Sequence, residues 1–320
     1  MNADPHGRNE ERPLLYDSIL DTVGRTPIVR INRLAPAGVD IYVKVEARNP
    51  SGSIKDRIAA SILDDALARG ALRPGQAVVE ATSGNAGVAL AMACAVRGYR
   101  FVAFISDNYS VERRRLMRAY GAEVVLTPAA EGAMGRSRAA REYAERTGAY
   151  FADQYANPAN PACHRDSTAR EILQAFAQRR LDWFVSGWGS GGTLSGVGAA
   201  LKAARADVQV AAAEPARARV LAGHPWTAHE IAGWAPNFMP AVMTPEVVDR
   251  TVAVEEDEAR EAARELARQE GLCCGISSGA AFVAARKIAS RAPAGSAVLT
   301  ILPDTGERYL STSLFDSADA

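Results

Sequence analysis

The chain has 320 residues and a mass of 34.0 kDa, room for one large domain or two moderate ones. Hydrophobic residues make up 48% and charged residues 23%, which excludes a disordered chain. The 37 Lys and Arg balance 37 Asp and Glu, so charge gives no case for nucleic-acid binding.

From Ile41 the pattern alternates strand, loop and helix. Ile41 to Val45 reads as a strand, and Ile54 to Ala68 as a helix capped by Ser53. Strands follow at Ala77 to Ala81, Tyr99 to Ile105 and Glu123 to Leu126, with helices at Ala86 to Val96, Val111 to Tyr120 and Gly135 to Arg146. Trp183 to Ser186 and Val208 to Ala213 are later strands, and Arg217 to Pro245 reads as long loops. Helices at Glu258 to Glu270 and Gly279 to Ile288 precede a last buried strand, Ala297 to Leu302. Short apolar strands alternating with helices predict an α/β fold whose parallel-rich sheets are flanked by helices. Two α/β lobes fit this length better than one. The first dozen residues are polar and read as frayed.

Other function classes fall away. The cysteines, Cys94, Cys163, Cys273 and Cys274, form no CxxC spacing. Cys273 and Cys274 read as packing residues. The histidines, His6, His164, His224 and His229, make no ligand pattern, so no metal is expected. No secretory signal or membrane span is read, and a cytoplasmic location is the expectation. Gly275, Ser277 and Gly279 satisfy GxSxG, but no histidine follows His229, which rejects a hydrolase triad.

Four glycine- and serine-bearing turns carry the chemistry. Asn49 to Arg57 (NPSGSIKDR) opens a helix and places Lys55, one of four lysines, in its first turn. There the positive end of the dipole disfavours a protonated amine, as imine formation requires; a capped helix with a surface lysine is the other reading. Thr82 to Gly87 (TSGNAG) can be a carboxylate nest or a capped turn. Gly187 to Thr193 (GWGSGGT) follows a strand and can be a phosphate cup or a flexible loop. Gly275 to Gly279 (GISSG) can cap the next helix or donate a hydroxyl to a ring atom.

In this order and spacing, these four motifs resemble the cysteine synthase/cystathionine beta-synthase family of fold-type II pyridoxal-phosphate enzymes. TPIVRIN, SVERRRLMRAYGAEVVLT, QYANPANP and LPDTGERYLST extend the resemblance over Leu15 to Thr312. It implies a two-domain fold, tryptophan synthase beta-like. Residues 48–155 would form the smaller domain with a mobile carboxylate-binding part, and 13–47 with 156–315 the larger one. It implies pyridoxal 5'-phosphate on Lys55, with Asn85 at the cofactor's 3-oxygen. Gly189, Ser190, Gly191, Gly192 and Thr193 would hold the phosphate, and Ser277 would face the pyridine nitrogen. Ser83 and Gln154 would take the amino-acid carboxylate beside Thr82 and Gly84, with Tyr109, Gly233 and Trp234 at the mouth. A homodimer is implied, and no nucleic-acid or membrane partner.

The implied reaction is beta-replacement on an O-activated L-serine through an alpha-aminoacrylate. Sulfide is the default nucleophile, giving cysteine from O-acetylserine. The alternatives are another beta-substituted alanine, cystathionine, or a retired regulatory homologue. The family pattern is broken at several places. Ala86 stands for a threonine, Asn108–Tyr109 for threonine–methionine, and HEIAGWAPNF at His229 to Phe238 for a glycine-rich stretch. Thr168-Ala169-Arg170-Glu171 replaces Thr-Gly-Pro-Glu, and Trp188 replaces a small aliphatic residue. The mouth stretch Glu230 to Phe238 carries no Lys or Arg, which favours an uncharged leaving group over a phosphate, with Arg170, Arg217 and Arg219 as the substitute partners a phosphate could find.

Overall fold

The computed structural model describes residues 14–316; the polar first dozen lie outside that range. In chain order the elements are β1 (Ile28–Arg30), β2 (Asp40–Val45), α1 (Lys55–Ala68), β3 (Val78–Thr82), α2 (Asn85–Arg97), β4 (Phe101–Ser106) and α3 (Val111–Ala119). β5 (Glu123–Thr127), α4 (Gly132–Thr147), β6 (Tyr150–Phe151) and α5 (Ala159–Cys163) follow. A π-helical turn (His164–Thr168) joins α5 to α6 (Ala169–Ala175). β7 (Trp183–Gly187), α7 (Gly192–Ala204), β8 (Gln209–Pro215), β9 (Arg250–Val254), α8 (Glu256–Glu270), α9 (Ile276–Ala289) and β10 (Ala297–Leu302) complete the chain.

The strands form two sheets, one ordered β1-β2-β10-β7-β8-β9 and one ordered β5-β4-β3-β6. Every pairing is parallel except β1 with β2. Each sheet is covered on both faces, the arrangement that parallel strands require. Along β10 the side chains alternate. Val298 and Leu302 pack in one core with Ile41 and Phe282, while Leu299 and Ile301 pack in the other with Phe184 and Leu194. The second sheet buries Ile62, Val88 and Met117 on one face and Val102, Phe104 and Ala140 on the other. This is a two-domain α/β fold. Among the described residues no helix is long and apolar enough to cross a membrane.

Boundaries depart from expectation where capping decides them. α8 starts at Glu256 because Glu255 and Glu258 form a reciprocal capping box. Ala259, Ala262, Ala263 and Leu266 then supply its buried stripe. α9 starts at Ile276, with Gly275 as its N-cap, so Ser277 and Ser278 lie inside the first turn rather than ahead of it. α1 has Ile54 as its N-cap with no side-chain cap; Ser53 Oγ instead accepts from the Lys55 N–H at 3.3 Å. Cys274 is buried, as a packing residue would be, whereas Cys273 is exposed.

Candidate active site

One cavity between the two sheets is lined by Lys55, Ser83, Asn85, Gln154, Gly189, Ser190, Thr193, Gly233, Trp234 and Ser277, together with Ala86, Tyr155 and Ser186. Three of the four motif turns reach it at helix starts, those of α1, α2 and α7, and the fourth through Ser277 in the first turn of α9. Burial pushes the Lys55 amine down to about 8, against the opposing pull of Cys163, Glu80 and Asp304. Lys55 lines this cavity rather than the open surface, and no side chain caps α1, which speaks against the surface-lysine reading of the motif.

Five of the sequence-selected residues stand behind the lining. Thr82 Oγ1 accepts from the Gly84 and Gly87 N–H groups, both at 2.9 Å, and so ties the turn together. Gly84 backs onto the Arg113 side chain. Gly191 is the N-cap of α7 and Gly192 its first residue. Tyr109 packs on the small-sheet core, with the Arg136 guanidinium 5.6 Å from its ring.

Asn85 is clasped from the far end of the chain. Its Nδ2 donates to Asp304 Oδ2 at 2.7 Å, and Arg308 Nη1 donates to its Oδ1 at 2.5 Å. Because Arg can only donate and a carboxylate accepts, the amide orientation is fixed. The Tyr309 hydroxyl also donates to Asp304 Oδ2, at 2.7 Å. At the mouth, the Trp234 indole lies against the Cα of Gly187, where a Cβ would overlap the ring. Trp188 is buried beneath, its Nε1 donating to Glu214 Oε1 at 3.3 Å.

Glu80 was missed by sequence reading. Its signal is a carboxyl inside the otherwise uncharged strand VVEAT. It is fully buried, and its Oε2 accepts from the Gln154 N–H at 3.1 Å. Burial raises its pKa from 4.5 to about 8, outweighing the bonds from Gln154. Between those two values the folded chain holds a proton that the unfolded chain has released, so stability falls as pH rises through this window. The Glu80→Gln variant should lack that decline. The stability difference between variant and parent should then grow by up to about 1.4 kcal/mol per pH unit between pH 5 and 8. Urea unfolding at several pH values measures it; a pH-independent difference refutes the assignment.

The cavity fits a phosphorylated aldehyde cofactor. A Cβ built on Gly189 would overlap the Gly233 carbonyl oxygen, so the backbone is bare where it wraps the cup. Ser190 and Thr193 add hydroxyls at the start of α7. A buried amine of lowered pKa stands in the same cavity.

A family model described as pyridoxal-phosphate dependent enzyme matches residues 19–304. The chain belongs to that family. It is 54% identical over 305 residues to an O-ureido-L-serine synthase of Streptomyces lavendulae, covering 95% of this chain and 94% of that protein. It is 42% identical over 304 residues to a cysteine synthase of Staphylococcus aureus strain Mu50, covering 95% and 98%. A crystal structure of O-ureido-L-serine synthase superposes with a TM-score of 0.93 at 54% identity, covering 95% and 96%. This member of the pyridoxal-phosphate-dependent family is therefore an enzyme of the beta-replacement type, acting on an activated serine with pyridoxal phosphate as cofactor.

Proposed function

We propose that the enzyme makes O-ureido-L-serine, or a close beta-substituted alanine, rather than cysteine. The reading rests on the 54% identity to the Streptomyces lavendulae synthase, against 42% to the cysteine synthase. Cutting the product at its Cβ–O bond leaves an alanyl fragment from the activated serine and hydroxyurea as the nucleophile. Sulfide needs no tailored pocket, whereas the cavity wall here carries the Trp234 indole and the Tyr155 ring.

In this reading Lys55 takes the proton from the substrate Cα and returns it at the end. Bound pyridoxal phosphate supplies the sink for the electrons left at Cα. Ser83 and Gln154 hold the carboxylate, Asn85 faces the cofactor's 3-oxygen, and the 189–193 cup takes the phosphate. Ser277 would offer the pyridine nitrogen a neutral hydroxyl partner, which would leave that nitrogen uncharged. The Cβ–O bond breaks as acetate leaves, the hydroxyurea oxygen bonds Cβ in its place, and the proton of the hydroxyurea O–H passes to solvent. Lys55 is the only cation among the described residues lining the cavity, which favours an acetyl donor over a phosphorylated one. Residues 48–155 are proposed as the smaller domain, 13–47 with 156–315 as the larger one, and a homodimer as the working unit.

Rapid mixing tests the acceptor. The enzyme is first reacted with O-acetylserine until acetate is released, then challenged with hydroxyurea or sulfide. Hydroxyurea capture should saturate and exceed sulfide capture by at least about tenfold in kcat/KM, the equivalent of one well-made hydrogen bond. Trp234→Gly should depress hydroxyurea capture while leaving acetate release in place. Faster capture of sulfide at every concentration would return the assignment to cysteine synthase.

A further inference from the structure

The α5 and π-turn segment, residues 159–168, lies behind the glycine-rich cup and takes no part in the roles assigned above. Three of its side chains, Asn160, His164 and Thr168, are fully buried, and the first two each bond one cup hydroxyl. Asn160 Nδ2 donates to the Gln154 carbonyl oxygen at 2.7 Å and to Ser190 Oγ at 2.9 Å. The carbonyl can only accept, so the NH2 end of Asn160 must face this way. Ser190 Oγ is thereby an acceptor on its inner side, and its own hydrogen is left to point into the cavity.

His164 does the same for the second hydroxyl. Its Nε2 lies 3.1 Å from Thr193 Oγ1 and its Nδ1 lies 2.9 Å from Thr168 Oγ1. Burial, with Arg57 and Lys55 nearby, pushes its pKa down to about 3, so the ring is neutral and carries one N–H. If that hydrogen is on Nε2, the ring donates to Thr193 and accepts from Thr168. Thr193 then turns its own hydrogen outward. If the hydrogen is on Nδ1, Thr193 must donate inward and presents a lone pair to the cavity. A phosphate dianion is held by donors only, so only the first arrangement serves it. The π-helical turn shares the geometry: Cys163 O accepts from Ser167 Oγ at 2.6 Å, and the widened turn sets Thr168 beneath the ring.

We propose that Asn160 and His164 are positioning residues that set the hydrogen polarity of the phosphate cup, forcing Ser190 and Thr193 to donate outward to the cofactor's phosphate. The inference rests on the reading of residues 189–193 as the phosphate site. The two can be tested apart.

The experiment uses holoenzyme and follows loss of the visible cofactor band on dialysis. The apparent dissociation constants of pyridoxal phosphate and of pyridoxal, which lacks the phosphate, are then measured by re-addition. Thr193→Val tests the underlying reading. It should weaken pyridoxal phosphate by about ten- to a hundredfold, the worth of a hydrogen bond to a charged group, and leave pyridoxal unchanged. Equal weakening of both, or of neither, would remove Thr193 from the phosphate site and the inference with it.

Given a phosphate-specific loss in Thr193→Val, the His164 pair decides. His164→Gln keeps a donor at the place of Nε2, and His164→Asn keeps only a group at the place of Nδ1. His164→Gln should stay within about threefold of the parent, while His164→Asn should lose pyridoxal phosphate by about tenfold or more with pyridoxal unaffected. Both variants bury an amide of similar polarity, so a merely structural role for the ring would affect both cofactors alike. Unchanged preference for the phosphorylated cofactor in His164→Asn would overturn the proposal. Ser190 gives a second route to the same answer: Asn160→Asp reverses the inner bond from donor to acceptor and should weaken only pyridoxal phosphate. A loss shared by pyridoxal would count against the proposal.

Discussion

Lys55→Ala is expected to yield a folded, colourless protein with no measurable turnover. The lysine carries two duties that no other described residue of the cavity can assume: it is the only amine among the described residues lining it, and the proposed acid and base at Cα. Loss of a positioned general base alone slows a reaction by on the order of a hundred- to ten-thousandfold. Loss of the nucleophilic amine adds to that by leaving the cofactor without its covalent anchor. The fold should survive, because Lys55 opens α1 without contributing to the buried Ile58, Ile62 and Leu63 stripe. Removing a buried amine also relieves the desolvation that lowers its pKa. Absorbance, circular dichroism and acetate release from O-acetylserine together check the result. Retained acetate release would show that another group takes the proton.

Gly189→Ala should weaken cofactor binding sharply although it removes no functional side chain. The new methyl would overlap the Gly233 carbonyl oxygen, and both partners are backbone, so no rotamer change can relieve it. Either the cup or the 231–235 stretch must move, displacing Trp234 with it. Overpacking of this kind destabilises by about 1–3 kcal/mol. The larger effect is on the cofactor: shifting a cup that works by several converging donors should weaken pyridoxal phosphate by at least about a hundredfold. Gly198→Ala is the control. It lies within α7, and its methyl would meet the Val247 side chain at 3.2 Å. Its helix propensity gain and that tight contact should leave stability within about 1 kcal/mol and cofactor binding unchanged. Similar losses in both variants would mean that the backbone contact at Gly189 is not what decides cofactor binding.

The elements that sequence reading found are those with one dominant signal. Val78–Thr82 and Ala297–Leu302 are buried along their whole length, and their apolar runs announce it. β1, β6 and β9 escaped for different reasons. β6 has two residues, and β1 is a three-residue edge strand with two exposed positions. β9 opens on an exposed arginine directly after loops without repeating pattern. Within the site, the four turns were legible because glycine and serine must recur where backbone approaches a ligand. Glu80, Asn160, His164, Asp304 and Arg308 were not, because their work is done through another residue. A histidine that bonds two threonines leaves no spacing rule in the chain. Trp188 and Trp234 were noticed as departures, but only coordinates separate their duties. Both are buried in the cores of the large sheet, but only Trp234 also lines the cavity.

The clasp on Asn85 has a consequence for the order in which the enzyme is made. Asn85 and Asp304 are 219 positions apart, so Asn85 is made long before its partner exists. At translation speeds of about 5–20 residues per second, the amide waits about ten to forty seconds for its acceptor. The four-stranded sheet, whose strands end at Phe151, can be complete long before. Lys55 is thus synthesised well ahead of the cup at Gly189 and the closing strand, and without the cavity whose burial lowers its pKa the amine stays protonated. Until the cup and β10 follow, the nucleophile has no vault, so cofactor capture has to wait for these later segments.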